Sequence, residues 1–214
     1  MSILLAFSID AWWERRQERS LETEALESLL VEFEANQERL RENIDRHDQV
    51  VTAAIEIHDR IQAAEPGSLV PVADTLLFWV LRDVSFESQE GALTALLQSG
   101  DLGRVRNPEL RDALAGWPAR LADATENEFV TARDLRPPLL TLVSRQVDLR
   151  RVIAGYSRRG ALTTEGTVSL VASQELANRL IWLGAASGGA SGEEQEAALY
   201  ADRIVGLLQV ELAR

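Results

Sequence analysis

Residues Leu21 to Ala64 read LETEALESLLVEFEANQERLRENIDRHDQVVTAAIEIHDRIQAA. This stretch contains neither Pro nor Gly, and its apolar residues recur three and four positions apart. Residues at these spacings share one face of a helix, so the pattern predicts a single long amphipathic helix that Pro66-Gly67 ends. We predict a heptad-like seam along it, formed by Leu26, Leu30, Phe33, Gln37, Leu40, Ile44, His47, Val51, Ala54, His58 and Ile61.

Three residues of this seam are polar, namely Gln37, His47 and His58. We interpret them as structural residues that set the packing register or contact ordered water, because polar residues at such positions commonly specify register. A pH-sensitive seam is the alternative, since His titrates near neutral pH. The apolar stripe widens at Leu29, Val50 and Ile55, which makes a homodimer through residues 21–64 a candidate assembly.

The rest of the chain also reads as helical. Asn107-Pro108-Glu109 is a strong helix start, with an N-cap residue, Pro at the first position and an acid in the first turn. It opens a second long helix over 108–154, which Pro137 and Pro138 bend. Further predicted segments are a helical cap over 68–103 (with helices at 72–81 and 87–98), a loop at 155–167, a helix at 168–183, a flexible spacer at 184–192 and a last helix at 193–213.

These segments predict an all-α fold without a sheet. The apolar run Leu76–Leu81 could by itself be a buried strand or a buried helix. A lone strand cannot satisfy its backbone hydrogen bonds, and no second strand candidate stands out, so helix is the better interpretation. The expected architecture is an elongated antiparallel bundle with two long helices, in which 14–214 form one helical domain.

Composition excludes several function classes. The chain of 214 residues has no Cys and no Lys, which excludes a thiol nucleophile, a zinc–cysteine site, a P-loop lysine and a Schiff base. A formal net charge of −12 argues against nucleic acid as a partner, because an acidic surface repels phosphate.

The two histidines and one acidic cluster are the candidates for chemistry. His47 and His58 are eleven residues apart, about 16 Å along a helix, so one metal ion cannot bind both. The Glu-x-x-His motif of di-iron bundles is missing, because Ile44 and Ile55 precede them by three positions. Nothing in the sequence places a His, Lys or Cys beside Glu126 and Glu128. We therefore predict no metal site, no cofactor and no catalytic residue.

The N-terminus resembles the end of a membrane-spanning helix. Residues 3–9 are apolar, Trp12 and Trp13 follow, and Arg15, Arg16 and Arg19 come next. Tandem Trp followed by Arg is typical of a membrane–water interface. We predict that 1–13 are the C-terminal end of a membrane anchor and that these five residues lie at the interface. The alternative is that Ile3–Ile9 form the first buried turns of a soluble helix.

The stretch from Leu4 to Arg16 resembles the junction between anchor and body in a bacterial family of uncharacterised, single-pass, helical membrane proteins. Residues 91–102 and Asn107-Pro108-Glu109-Leu110 are similar to that family as well. This chain departs from the family's pattern because it lacks the upstream half of the span. The resemblance implies a bundle domain behind an anchor and carries over no catalytic residue.

We therefore expect a membrane-tethered, non-enzymatic helical module for scaffolding, sensing or protein contact, with the lipid bilayer as a partner of its N-terminus. Its expected location is the bacterial cytoplasmic membrane. The three arginines favour a body on the cytoplasmic side, since Arg near the end of a span is retained there. The alternative is a soluble helical bundle that binds a small ligand in its core, or an enzyme of an unrecognised type.

Overall fold

The structure is a computed structural model that describes residues 2–154 and 166–214, with the side chains of 2–11, 14, 15, 18 and 154 left out. Its elements, in chain order, are α1 (Ser2–Gln62), β1 (Leu69–Ala73), α2 (Asp74–Leu81), α3 (Gly91–Ser99), a 3-10 turn (Asp101–Arg104), α4 (Pro108–Val130), a π-helical turn (Thr131–Leu135), α5 (Arg136–Ser144), α6 (Leu149–Ala154), β2 (Thr167–Val171) and α7 (Gln174–Leu212).

The fold is an all-α helical bundle, as the sequence predicts, with one small addition. β1 and β2 pair antiparallel, with Leu69 opposite Val171 and Ala73 opposite Thr167. The prediction of no sheet is therefore wrong, and so are the helix starts at 72 and 168. The sequence of β2 does carry a strand signal, because apolar and polar residues alternate from Thr167 to Leu170. In the structure the two apolar residues, Val168 and Leu170, are buried in the core. β1 and β2 are far apart in the sequence, so neither strand indicates where its partner lies.

The long helix is confirmed, but its buried face differs from the predicted one. Apart from Glu32 and Ala53, the buried residues of α1 follow one unbroken 3-4 spacing: Leu26, Leu29, Phe33, Asn36, Leu40, Asn43, His47, Val50, Ala54, Ile57 and Ile61. The predicted and the buried positions agree at residues 26, 33, 40, 47, 54 and 61. At each position between these, the buried residue is the one that precedes the predicted residue. The displacement arose because Asn36 and Asn43 are polar, while their neighbours Gln37 and Ile44 continued the predicted spacing equally well.

The second long helix is α7 rather than 108–154. A π-helical turn over Thr131–Leu135 lies where the sequence predicts the bend, because Pro137 and Pro138 cannot donate backbone hydrogen bonds to the preceding turn. The helical path then stops at Ser144, before α6 starts at Leu149. Of the predicted loop at 155–167, residues 155–165 lie outside the described residues.

The predicted spacer at 184–192 is wrong, because these residues lie inside α7. Their small side chains allow close approach between helices: a Cβ on Gly184 would lie 3.4 Å from Ala54, and one on Gly189 would lie 3.5 Å from Asn127. Ser187 and Ala190 are fully buried. A Gly/Ala/Ser-rich sequence is therefore a packing surface here.

The described chain divides into two compact units. The first comprises 1–39, 87–121 and 197–214, and the second comprises 40–86 and 122–196. The division falls inside the predicted cap at 68–103, so its halves belong to different units. The apolar core of the second unit is built on Val50, Ile57, Leu77, Leu139 and Leu180, all of which are at most 1% exposed.

Buried polar residues of α1 anchor the 87–93 segment in the first unit. The Asn36 amide donates to the backbone oxygen of Gln89 at 2.7 Å and accepts from the Gln89 N–H at 2.7 Å. The Glu32 carboxylate accepts from the N–H groups of Ala92 at 2.6 Å and Leu93 at 3.1 Å, where α3 begins. These bonds satisfy donors that a helix start leaves free, which explains polar residues on a buried face.

Candidate functional site

A buried cluster of four polar side chains lies within the second unit. Helix α1 contributes Asn43 and His47, one turn apart, α4 contributes Glu128, and α7 contributes Glu194. Each of these residues is at most 6% exposed. Charged residues are rarely buried to this extent unless they are paired or bind an ion, so the cluster is the leading candidate for a functional site.

The polar atoms of the cluster converge on a small volume. His47 Nε2 lies 3.3 Å from Glu194 Oε1 and 3.7 Å from Glu128 Oε1. The Asn43 amide nitrogen donates to the same two oxygens, at 2.7 Å to Glu194 and 2.9 Å to Glu128. One ligand atom from each of His47, Glu128 and Glu194 lies within 4.8 Å of the other two, so the three residues could hold a metal ion.

The Glu128 side chain also accepts hydrogen bonds from a non-helical segment. The backbone N–H of Phe86, in the segment after α2, donates to both of its carboxylate oxygens, at 2.9 and 3.1 Å. This contact and the Asn43 amide fix the orientation of the carboxylate. A carboxylate that is oriented before any ligand arrives loses little further freedom on binding.

Several atoms of the cluster have no hydrogen-bond partner among the described residues. They are Asn43 Oδ1, both ring nitrogens of His47 and Glu194 Oε2, and all are buried. Nε2 of His47 is within ion-pair distance of two carboxylates, yet no hydrogen bond of good geometry joins it to either one. Buried polar atoms without partners are uncommon in folded proteins and indicate a water or an ion that completes the site.

The cluster shifts the pKa values of its own members. Burial alone would lower the pKa of His47, but the two glutamates outweigh it and raise the pKa to about 9. Burial raises the pKa of Glu194 to about 7, against the opposing effects of His47 and Asn43. For Glu128, the interactions with His47, Glu194 and the Phe86 N–H outweigh burial and lower the pKa. Without a bound cation, the cluster therefore retains protons at neutral pH.

These shifts predict that the ion-free protein loses stability as the pH rises. Between pH 6.5 and about 9, folded His47 holds a proton that the unfolded chain has released, and Glu194 behaves likewise between pH 4.5 and about 7. Since the folded state binds more protons there, its free energy of unfolding falls with pH. Glu128 acts in the opposite sense, and its contribution is lost as the pH falls through its lowered pKa.

The measurement is urea denaturation with a chelator present, at pH 6, 7.5 and 9, for the unmodified protein and for His47→Gln. We expect the difference in unfolding free energy between them to shrink as the pH rises. His58→Gln is the matched control and should follow the unmodified protein. A difference that is constant or grows with pH would contradict the assignment of raised pKa values.

Further polar side chains lie close to the cluster in sequence. Asn127 and Glu193 are half-exposed, and Asp123 and Glu126 are exposed. The Asn127 amide donates to Glu193 Oε1 at 2.6 Å, which connects α4 and α7 one residue before Glu128 and Glu194. Burial raises the pKa of Glu193, and the charges of Glu126 and Asp123 add to the rise. This acidic edge attracts cations to the same part of the second unit.

The three polar residues that the sequence placed on one seam differ in burial and in their partners in the structure. His47 is 1% exposed and belongs to the cluster. Gln37 is half-buried, lies in the first unit and donates to Asp202 at 2.6 Å. His58 is half-buried and its Nδ1 lies 3.0 Å from the carboxylate of its neighbour Asp59.

Nothing in the sequence places a His beside the carboxylates near Glu128, whereas the structure brings His47 Nε2 to 3.7 Å from Glu128 Oε1. Sequence reasoning also missed Asn43 and Glu194, and it took Ser187 to Ser191 for a linker. Ser191 donates instead to Asp48 at 2.9 Å. The signal that could have found part of the site is the Asn43–His47 pair, whose i, i+4 spacing puts two polar residues on one face between apolar turns.

The predicted membrane-interface residues belong to the first turns of α1. Trp12 is 51% exposed and Trp13 is 61% exposed, and the Arg16 guanidinium lies 5.6 Å from the Trp12 ring centre. Arg19 is exposed, and the side chain of Arg15 lies outside the described ones. Within the described residues, no helix has an apolar stretch of the length that a bilayer crossing needs.

Comparisons with protein-family models, with curated proteins and with solved structures find no match to this chain.

Proposed function

We propose that this protein is a membrane-tethered helical module that acts through scaffolding, sensing or protein contact and catalyses no reaction. The observation that carries the proposal is the start of α1. This helix is unbroken from Ser2 to Gln62, so it joins the apolar residues 3–9 directly to the residues that are buried in the bundle. Two exposed Trp side chains mark the junction. Aromatic residues at such a junction favour the headgroup region of a bilayer.

The proposed location is the bacterial cytoplasmic membrane with the body on the cytoplasmic side. Arg15, Arg16 and Arg19 support this side, because basic residues at the end of a span are retained there. The likeness of residues 4–16 to the anchor junction of single-pass helical membrane proteins supports a membrane anchor before the helical body. A reporter active only in the cytoplasm, fused after Arg214, tests the side.

The tether predicts that the full chain binds vesicles of phosphatidylethanolamine and phosphatidylglycerol in a flotation assay. Replacing both Trp12 and Trp13 by Ala should lower the floated fraction severalfold, because two amphipathic rings then no longer insert at the interface. The control is Trp182→Ala, which removes an exposed Trp from α7 (64% exposed) and should float like the unmodified chain. Equal flotation of all three proteins, or of none, would overturn the proposal.

A second candidate function, ligand binding in the helical core, is favoured by one observation. The second unit buries a His, two Glu and an Asn together, and four of their polar atoms have no partner in the described part of the chain. Polar atoms that are buried without partners lower stability, and a ligand that binds to them would compensate that cost.

A further inference from the structure

We propose that His47, Glu128 and Glu194 bind one divalent transition-metal ion, with Zn²⁺ as the fitting probe. The proposal goes beyond the tether and does not depend on it, because all three ligands belong to the second unit. It concerns an imidazole nitrogen and two carboxylate oxygens, which are the donor types that Zn²⁺ takes besides thiolate.

The distances fit a bound ion. Ligand atoms about 2.1 Å from a tetrahedral Zn²⁺ lie about 3.4 Å from one another. His47 Nε2 lies 3.3 Å from Glu194 Oε1 and 3.7 Å from Glu128 Oε1, on both sides of that value. If the cluster were only an imidazolium paired with two carboxylates, an N–H of His47 would donate a hydrogen bond to one of them. Nε2 makes no such bond, and Nδ1 has no partner in the described residues either.

The charges fit as well. Two carboxylates and one divalent cation sum to zero when the imidazole is neutral, so the bound site buries no net charge. Without a cation, the same cluster is neutral only when it holds two extra protons. Burial of uncompensated charge is costly, and metal coordination is one of the two usual ways to compensate it.

The surroundings orient the ligands. The Asn43 amide donates to the two oxygens that face His47, and the Phe86 N–H donates to both carboxylate oxygens of Glu128. Metal-binding carboxylates are commonly held by such hydrogen bonds, which fix their direction and contribute to affinity. We assign Asn43 as a positioning residue, and the three ligands leave a fourth position of a tetrahedral ion for water or another ligand.

The test is calorimetric titration of the full, chelator-treated chain with ZnCl₂ at pH 7.5. We expect one saturable site per chain and a rise in the melting temperature on adding Zn²⁺, because an ion that binds only the folded state stabilises it. His47→Gln, Glu128→Gln and Glu194→Gln should each lower the affinity by more than the roughly 10- to 100-fold that loss of a merely supporting residue costs.

Two matched variants control for the acidity of the chain. Glu126→Gln removes the same charge from an exposed position of α4, and His58→Gln removes the other histidine. Both should keep the site. Equal weakening in Glu126→Gln and Glu128→Gln would mean an adventitious ion only and overturn the proposal, as would the lack of a saturable site in the unmodified protein.

Zinc X-ray absorption of the unmodified, loaded protein keeps the proposal testable where a cluster variant does not fold. The spectrum should show nitrogen and oxygen ligands at about 2.0–2.2 Å with a single imidazole. Two or no imidazoles would overturn the assignment.

Discussion

Glu128→Ala should destabilise the ion-free protein by about 3–5 kcal/mol, the range for breaking a buried ionic contact by removing one partner. The Phe86 N–H would lose both of its acceptors, and Asn43 and His47 would each lose one of two carboxylates. The measurement is the free energy of unfolding in urea at pH 7 with a chelator present. Glu126→Ala, on the exposed side of α4, should change it by no more than about 0.5 kcal/mol. A loss below about 1 kcal/mol for Glu128→Ala would show that the cluster does not form.

Trp117→Ala should cost the first unit about 3–5 kcal/mol, because it replaces the largest buried side chain by a methyl group. Trp117 is 1% exposed, its ring centre lies 5.2 Å from that of Phe33 in an edge contact, and Tyr200 stacks at 6.4 Å. Its Nε1 has no hydrogen-bond partner among the described residues, so the expected loss comes from packing alone. The control is Trp182→Ala, which should leave stability within about 0.5 kcal/mol. Equal effects of the two substitutions would contradict the placement of Trp117 in the core.

The all-α class and α1 could be predicted from the sequence because they depend on local periodicity. The one-residue displacement of the buried seam shows where periodicity stops being sufficient. Asn36 and Asn43 are accommodated on the buried face because the Gln89 backbone, Glu128 and Glu194 form hydrogen bonds with their amide groups. Those partners lie between 53 and 151 residues away, so no local pattern could reveal them.

The composition of 184–192 was misleading for a related reason. Gly, Ala and Ser are typical of flexible linkers, and they also suit a helix that packs closely against others. The outcome depends on the neighbouring surface, here Val51 and Ala54 of α1 and Asn127 of α4. Small residues at positions 184, 187 and 191 fall on the face that also carries Glu194, a periodicity that distinguishes a helix from a linker.

The candidate site could be predicted only in part. His47 stood out as one of two histidines, but in a chain with 34 acidic residues neither Glu128 nor Glu194 is conspicuous. A Glu-x-x-His motif places two ligands on one helix. In the structure each carboxylate ligand comes from its own helix, and the motif is not required.

Anomalous diffraction at the zinc edge tests whether the three side chains hold a metal ion, because it locates the ion without relying on variants. The protein is crystallised after chelator treatment and Zn²⁺ addition. We expect a strong peak about 2.0–2.2 Å from His47 Nε2 and from one oxygen of each of Glu128 and Glu194. A map with no peak between these three side chains, or with peaks only at exposed carboxylates and at His58, would contradict the proposed metal site.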